Sequence, residues 1–377
     1  MNKKPNIAVM LFPWASKAPY QFVSDILKIL KPSTNELYLI TSNLERIDFG
    51  KAKTMDVRFS VHYAKEMHPI FISYLIWIFK SFLIQIITSI YIIKISNKVD
   101  IIIYLAYPFY FIPLITSKIF GIKGIELLTR SKRTTRNKIL KFYLDNNEKF
   151  VFSLLDGISP ESPSLIQELN LNRFEEKLLP YCSRYVKLNE KFTKINNREN
   201  IIGYIGRLRE EKGIIEFIES IPRILNERQD VKFLIGGEGD LSSWVEKEIN
   251  KLRDVYDADI NFVRWIPHTN IYDYLNNLKI LVIPSRSEGL PTIILEAMAN
   301  GTPVLAMPVG GIKDLIEDNE NGFFLQSYSS ESIKLGVLKI LESSNIDLVS
   351  INAINTIKTQ FTFDKAIERY HRIINLV

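Results

Sequence analysis

Short apolar runs of strand length, separated by segments of helix length, recur along this chain and restrict its fold more than any other feature. Residues 6–12, 36–41, 100–105, 124–128 and 150–154 read as strands, with helices expected near 20–30, 69–96 and 108–120. A polar patch at 187–200, rich in Lys, Asn and Arg, reads as a linker. The pattern restarts at Ile201-Ile-Gly-Tyr-Ile-Gly206. Further strands are expected at 232–235, 260–262, 280–284, 303–306 and 322–325, with helices at 214–227, 241–252, 271–276, 291–300 and 330–341. Strands alternating with helices imply βαβ units and parallel sheets. Two such doubly wound halves joined by a linker would leave a cleft between them. Small molecules favour domain interfaces and the carboxyl ends of strands.

The length of 377 residues suffices for two domains with substantial cores. Cys182 is the single cysteine, so no internal disulfide can form, which fits a reducing compartment. The first residues, up to Pro13, run into the first expected strand with an apolar stretch too short for a secretory signal, so a cytoplasmic protein is expected. Charge is unevenly spread. Residues 1–196 carry 28 Lys+Arg against 16 Asp+Glu, and residues 197–377 carry 20 against 26, giving +12 and −6 within the net +6. A basic half points to an anionic substrate, an anionic membrane or nucleic acid.

Four segments carry candidate chemistry. In Ser285-Arg-Ser-Glu-Gly-Leu-Pro-Thr-Ile-Ile-Leu-Glu296, Glu288 would stand in a strand-end loop and Glu296 two turns inside the following helix. The helix start offers amides to a phosphate. Apolar neighbours make Glu296 costly to place without a compensating partner. In Gly203-Tyr-Ile-Gly-Arg-Leu-Arg-Glu-Glu-Lys-Gly213, Arg207 and Lys212 can straddle a diphosphate, although Glu210 and Glu211 also suit a solvated loop. The cluster Gly236-Gly-Glu-Gly-Asp240 reads as a tight turn, or as glycines admitting a nucleotide. Ser242 stands where a dinucleotide fingerprint needs its third glycine. Val309-Gly-Gly-Ile-Lys-Asp314 is sufficiently explained as a turn.

Taken in order, Gly206–Gly213, Gly236–Asp240, Pro284–Val304, Val309–Ile312 and Asn321-Gly322 resemble the C-terminal half of retaining glycosyltransferase family 4, the glycosyl transferases group 1 type. The resemblance covers residues 201–325. It implies an α/β fold of GT-B architecture, two Rossmann-like doubly wound domains facing a central cleft. These would be an acceptor-side domain at 1–190 and a nucleotide-sugar-binding domain at 191–362, with helix 363–377 packing back on the first. It also implies a metal-independent, cofactor-free hexosyltransferase that moves a sugar with retention from a UDP- or GDP-sugar to a glycan or lipid-linked acceptor. Arg207 and Lys212 would bind the diphosphate, with Gly206 and Gly237 near the nucleotide. Glu288 would face the sugar, with backbone at Gly289, Leu290, Pro291 and Thr292 near sugar and phosphate. Glu296 would hold the ribose, and Trp265 and Ile266 would lie near the base. The N-terminal half departs from the pattern: the loop from Phe12 to Pro19 lacks glycine, and Thr129-Arg130 stand where many relatives carry histidine. A GT-B sugar-nucleotide epimerase, or a catalytically silent nucleotide-binding protein, are the alternative readings.

Residues 70–93 are almost wholly apolar, but Lys80 interrupts them as a span. They read either as a packed helix or as one lying in a bilayer interface. The run from Arg130 to Lys141 holds six cations that could dock on anionic lipid or an anionic acceptor. Peripheral membrane contact through 70–93 and 130–141 is the expectation. Nucleic acid is not, because the basic run lacks interleaved aromatics.

Overall fold

The computed structural model describes residues 4–11, 18–41, 52–57, 71–105, 111–129, 138–182, 184–189 and 191–377. The chain divides into two compact units. One comprises Met1–Glu161, Ile166–Cys182 and Ala366–Val377, the other Ser162–Leu165 and Ser183–Lys365.

The first unit contains β1 (Ile7–Leu11), α1 (Ala18–Leu30), β2 (Leu37–Thr41), β3 (Lys53–Asp56), α2 (Phe71–Ile95), β4 (Ile101–Leu105), α3 (Phe111–Ile119), β5 (Lys123–Leu128), α4 (Lys138–Leu154) and β6 (Gly157–Pro160). Its sheet is parallel throughout, in the order β3-β2-β1-β4-β5-β6. Every residue of β1 and β4 is buried, which is why those runs are apolar without alternation. The short helix α5 (Pro163–Glu168) follows.

Two expectations change here. Residues 150–154 are not a strand but the end of α4, with Val151, Phe152 and Leu155 buried and Phe150 exposed. That spacing is helical, and the strand is the next run, β6. The edge strand β3 was not expected, because Lys-Thr-Met-Asp is too short and polar to signal one.

The second unit contains β7 (Ile201–Ile205), α6 (Ile214–Leu225), β8 (Lys232–Gly236), α7 (Ser242–Tyr256), β9 (Ile260–Val263), α8 (Ile271–Asn277), β10 (Ile280–Ile283), α9 (Thr292–Ala299), β11 (Val304–Ala306), α10 (Ile312–Leu315), β12 (Phe323–Phe324), α11 (Ser330–Leu341) and α12 (Ile346–Gln360). Its parallel sheet runs β12-β11-β10-β7-β8-β9. Numbered within each unit, both sheets follow the Rossmann order, so the α/β, two-domain GT-B class holds. Alternate residues feed separate cores: Ile280 and Val282 pack with Tyr204 and Phe233, while Leu281 and Ile283 pack with Ile294 and Leu295.

The polar stretch 187–200 is tied down rather than loose. Arg198 is buried and donates through Nε to Thr193 O (2.9 Å), through Nη1 to Leu278 O (2.9 Å) and Thr302 Oγ1 (2.7 Å), and through Nη2 to Asn300 O (2.6 Å). Burial lowers its guanidinium to about 10, so it stays charged at neutral pH and caps the ends of α8 and α9.

The last helix, α13 (Phe363–Asn375), contributes its residues from Ala366 onward to the first unit. There Tyr370 donates its hydroxyl to Cys182 O at 3.1 Å.

Candidate active site

In the second unit the strand order reverses between β7 and β10, and the loops after these strands flank the switch point where open α/β sheets bind ligands. The β7 loop carries Arg207 and Lys212; the β10 loop carries Glu288. They meet: Lys212 Nζ lies 2.6 Å from Glu288 Oε1 and 3.4 Å from Ser287 O. The two side chains are only 13% and 15% exposed. Arg286 N donates to Glu211 O at 2.9 Å, a second tie between the loops, and Arg286 Nη2 reaches Glu216 Oε1 at 2.5 Å. Arg207 is exposed, with its backbone carbonyl accepting the Tyr204 hydroxyl at 2.9 Å. Burial, then the Glu288 charge, raise the Tyr204 pKa, so the phenol stays a donor.

Two glycines explain why the strand-end loops lie so close. Gly237 has φ +139°, and a Cβ there would fall 1.9 Å from Gly206 O. Gly310 has φ +51°, and its Cβ would fall 1.9 Å from Glu288 O, while Gly311 N donates to Gly289 O at 2.8 Å. The Val-Gly-Gly turn is thus a brace behind the Glu288 loop. Gly310→Ala is expected to displace Glu288 and lower turnover by roughly tenfold or more. Nucleotide release under saturating donor, with the melting temperature as a folding control, measures this; an unchanged rate would remove the bracing role.

Leu290 is buried and Pro291 is the residue before α9, adding no side-chain cap to its first turn. Thr292 opens the helix, and its hydroxyl accepts Arg184 Nη1 at 2.8 Å. Glu296 is the fifth residue of α9, just past the first turn rather than two turns in. Its side chain is only 5% exposed, and its Oε1 lies 2.7 Å from His268 Nε2. A carboxylate only accepts, so His268 donates through Nε2. His268 is the compensating partner, and sequence reasoning missed it. It follows Trp265-Ile266-Pro267 just beyond β9, so its place after a strand was the available signal. Trp265 is 71% exposed, and Ile266 packs its Cδ1 against Gly236. Tyr272, raised in pKa by burial and then by the Glu296 charge, donates to Lys187 O at 2.9 Å.

The structure brings Lys212 to Glu288, Gly237 to Gly206, and Gly289 to Gly311. Glu296 is held separately by His268. The loop at 12–17 and the basic residues 130–137 lie outside the described residues.

The family description "Glycosyl transferases group 1" matches residues 186–354, the stretch holding all of these groups except Arg184. The matched stretch, less than half of the chain, is therefore similar to the glycosyl transferases group 1 family. The chain is 32% identical over 147 residues to an uncharacterized glycosyltransferase of Methanocaldococcus jannaschii (39% of this chain, 37% of that protein). It is also 25% identical over 177 residues to the capsular polysaccharide biosynthesis glycosyltransferase CapM of Staphylococcus aureus (47% and 46%). The alignments therefore span less than half the length of these relatives. The crystal structure of Anabaena HepE in complex with UDP and glucose has the same fold, with a TM-score of 0.72, 15% identity, and coverage of 99% of this chain and 100% of that one.

Proposed function

We propose that this protein is a retaining, metal-independent glycosyltransferase that moves a hexose from a UDP- or GDP-sugar to a glycan or lipid-linked acceptor. The observation that carries the reading is the shielded Lys212–Glu288 pair at the switch point of the second unit. An ammonium has three donors, so Lys212 can keep Glu288 and still take a phosphate oxygen. Arg207, exposed on the same loop, supplies a second cation for the diphosphate. The α9 amino terminus adds its dipole. Glu288 is left to the sugar, Glu296 to the ribose hydroxyls, and the exposed Trp265 to the base.

In the transfer step the bond between the anomeric carbon and the diphosphate oxygen breaks as the acceptor hydroxyl bonds to the same face. The hydroxyl proton passes to the departing phosphate oxygen. Charge grows on the diphosphate, where fixed cations stabilise it most. Support from the relatives is of two kinds: CapM is named for capsular polysaccharide biosynthesis, and HepE was solved with UDP and glucose. A lipid-linked acceptor would bring the protein to a bilayer surface.

A donor screen with a nucleotide-release readout, run with and without a chelator, tests the reading. Release from one nucleotide-sugar that survives chelation is expected; release abolished by chelation would overturn metal independence. Tight UDP binding without release or transfer from any donor would favour the silent alternative. Glu296→Ala is expected to weaken UDP affinity by roughly tenfold or more, since the ribose loses a charged acceptor. Calorimetric titration measures it, and unchanged affinity would end the ribose role.

A further inference from the structure

Helix α2 is built inside out. Its inward face buries Ser81, Gln85, Thr88 and Ser89 beside Ile84, Ile92 and Ile95. Its outward face carries Phe79, Phe82, Leu83, Ile86, Ile90 and Ile93, between 38% and 62% exposed. Those outward positions recur at three- and four-residue steps, so they form one stripe along the helix. Two of the inward polar groups are used: Gln85 Oε1 accepts Ile112 N at 3.2 Å, and Thr88 Oγ1 donates to Ile84 O at 2.8 Å, while the buried Ser81 and Ser89 hydroxyls are unpartnered among the described residues. In water this arrangement is the reverse of the stable one, since six large apolar side chains face solvent while polar ones are buried. The neighbouring helix α3 adds exposed Ile115 and Ile119, and Phe120 follows them.

We infer that the α2 stripe is a docking surface for an anionic lipid bilayer, with the helix lying along the interface. The medium that suits the outward face is hydrocarbon, and the flanking charge selects its headgroups. From 71 to 123 the chain holds five lysines and a single acid, Asp100. Lys80, Lys94, Lys98 and Lys123 are exposed. Long lysine stems can reach headgroups while apolar neighbours sit deeper. Among the described residues no helix is long and apolar enough to cross a membrane, so the contact is peripheral. It depends on the first unit alone and does not require sugar transfer.

Vesicle co-sedimentation tests it. The wild-type chain should pellet with phosphatidylcholine vesicles containing phosphatidylglycerol, and less without the anionic lipid. The double substitution Phe82→Glu/Ile90→Glu should lower vesicle affinity by about tenfold or more, with UDP affinity and circular dichroism unchanged. The milder Phe82→Ser/Ile90→Ser should give an intermediate loss should the glutamates impair folding. A wild type that binds neither vesicle would overturn the inference, as would variants that bind like wild type. So would a dimer in solution that these variants split without any vesicle binding, because the stripe's occupant would then be a second copy. Equal binding without phosphatidylglycerol would overturn the part given to the lysines.

Discussion

Lys212→Ala should lower the rate of nucleotide release from the donor sugar by about 10²–10³-fold, the loss typical of removing one preorganised donor from developing charge (roughly 3–4 kcal/mol). Removing the ammonium takes a cation from the diphosphate and leaves the shielded Glu288 carboxylate without its 2.6 Å partner. The second effect is separable. Glu288→Gln retains an oxygen toward Lys212 without the charge, so a loss confined to the lysine belongs to the leaving group. Lys212→Arg should recover only part of the rate, because a planar fork cannot occupy the site of a compact ammonium. Pre-steady-state release and UDP titration together decide the matter. A Lys212→Ala protein that melts normally and turns over like wild type would remove this residue from the reaction.

Arg198→Ala should cost about 3–5 kcal/mol of stability, because it strands the buried carbonyls of Leu278 and Asn300 and the part-buried one of Thr193 that the guanidinium now satisfies. Arg198→Lys should rescue less than half of this, since one ammonium cannot reach acceptors spread around a planar group. Urea unfolding followed by circular dichroism reads the change. A loss below about 1 kcal/mol would mean that water replaces the guanidinium and that the stretch 187–200 tolerates opening. Because Asn300 also accepts Asn189 and lies at the end of the helix bearing Glu296, the Arg198→Ala variant should bind UDP less tightly as well.

The legible parts of this fold are those where local pattern and tertiary role coincide. Ile280–Ile283 reads as a strand because both of its faces are buried, and the glycines of 206–213 and 309–311 stand out because backbone must approach backbone there. The illegible parts depend on partners far away in the chain. Arg198 looked like linker charge because its acceptors lie 77 to 104 positions on, apart from Thr193. His268 looked unassigned because Glu296, 28 residues later, gives it meaning. The end of α4 deceived for another reason: a short apolar run suits a buried helix face as well as a strand. Of the candidate site, the Lys212–Glu288 partnership was implied only as two roles in one reaction. Their direct contact is a property of the two loops meeting across the switch point.

The path of the C-terminal residues has a consequence for biosynthesis. Ala366, Tyr370, Ile373 and Ile374 are buried, and Tyr370 and His371 reach Cys182 and Ser33 in the first unit. A ribosome that has finished residues 1–182 has therefore not yet made everything that unit needs. Its core stays open while the whole second unit, Ser183–Lys365, is synthesised and can fold. Chains broken off before residue 366 would present that unfilled core to chaperones and proteases, so α13 serves as a seal that only molecules translated through this helix receive.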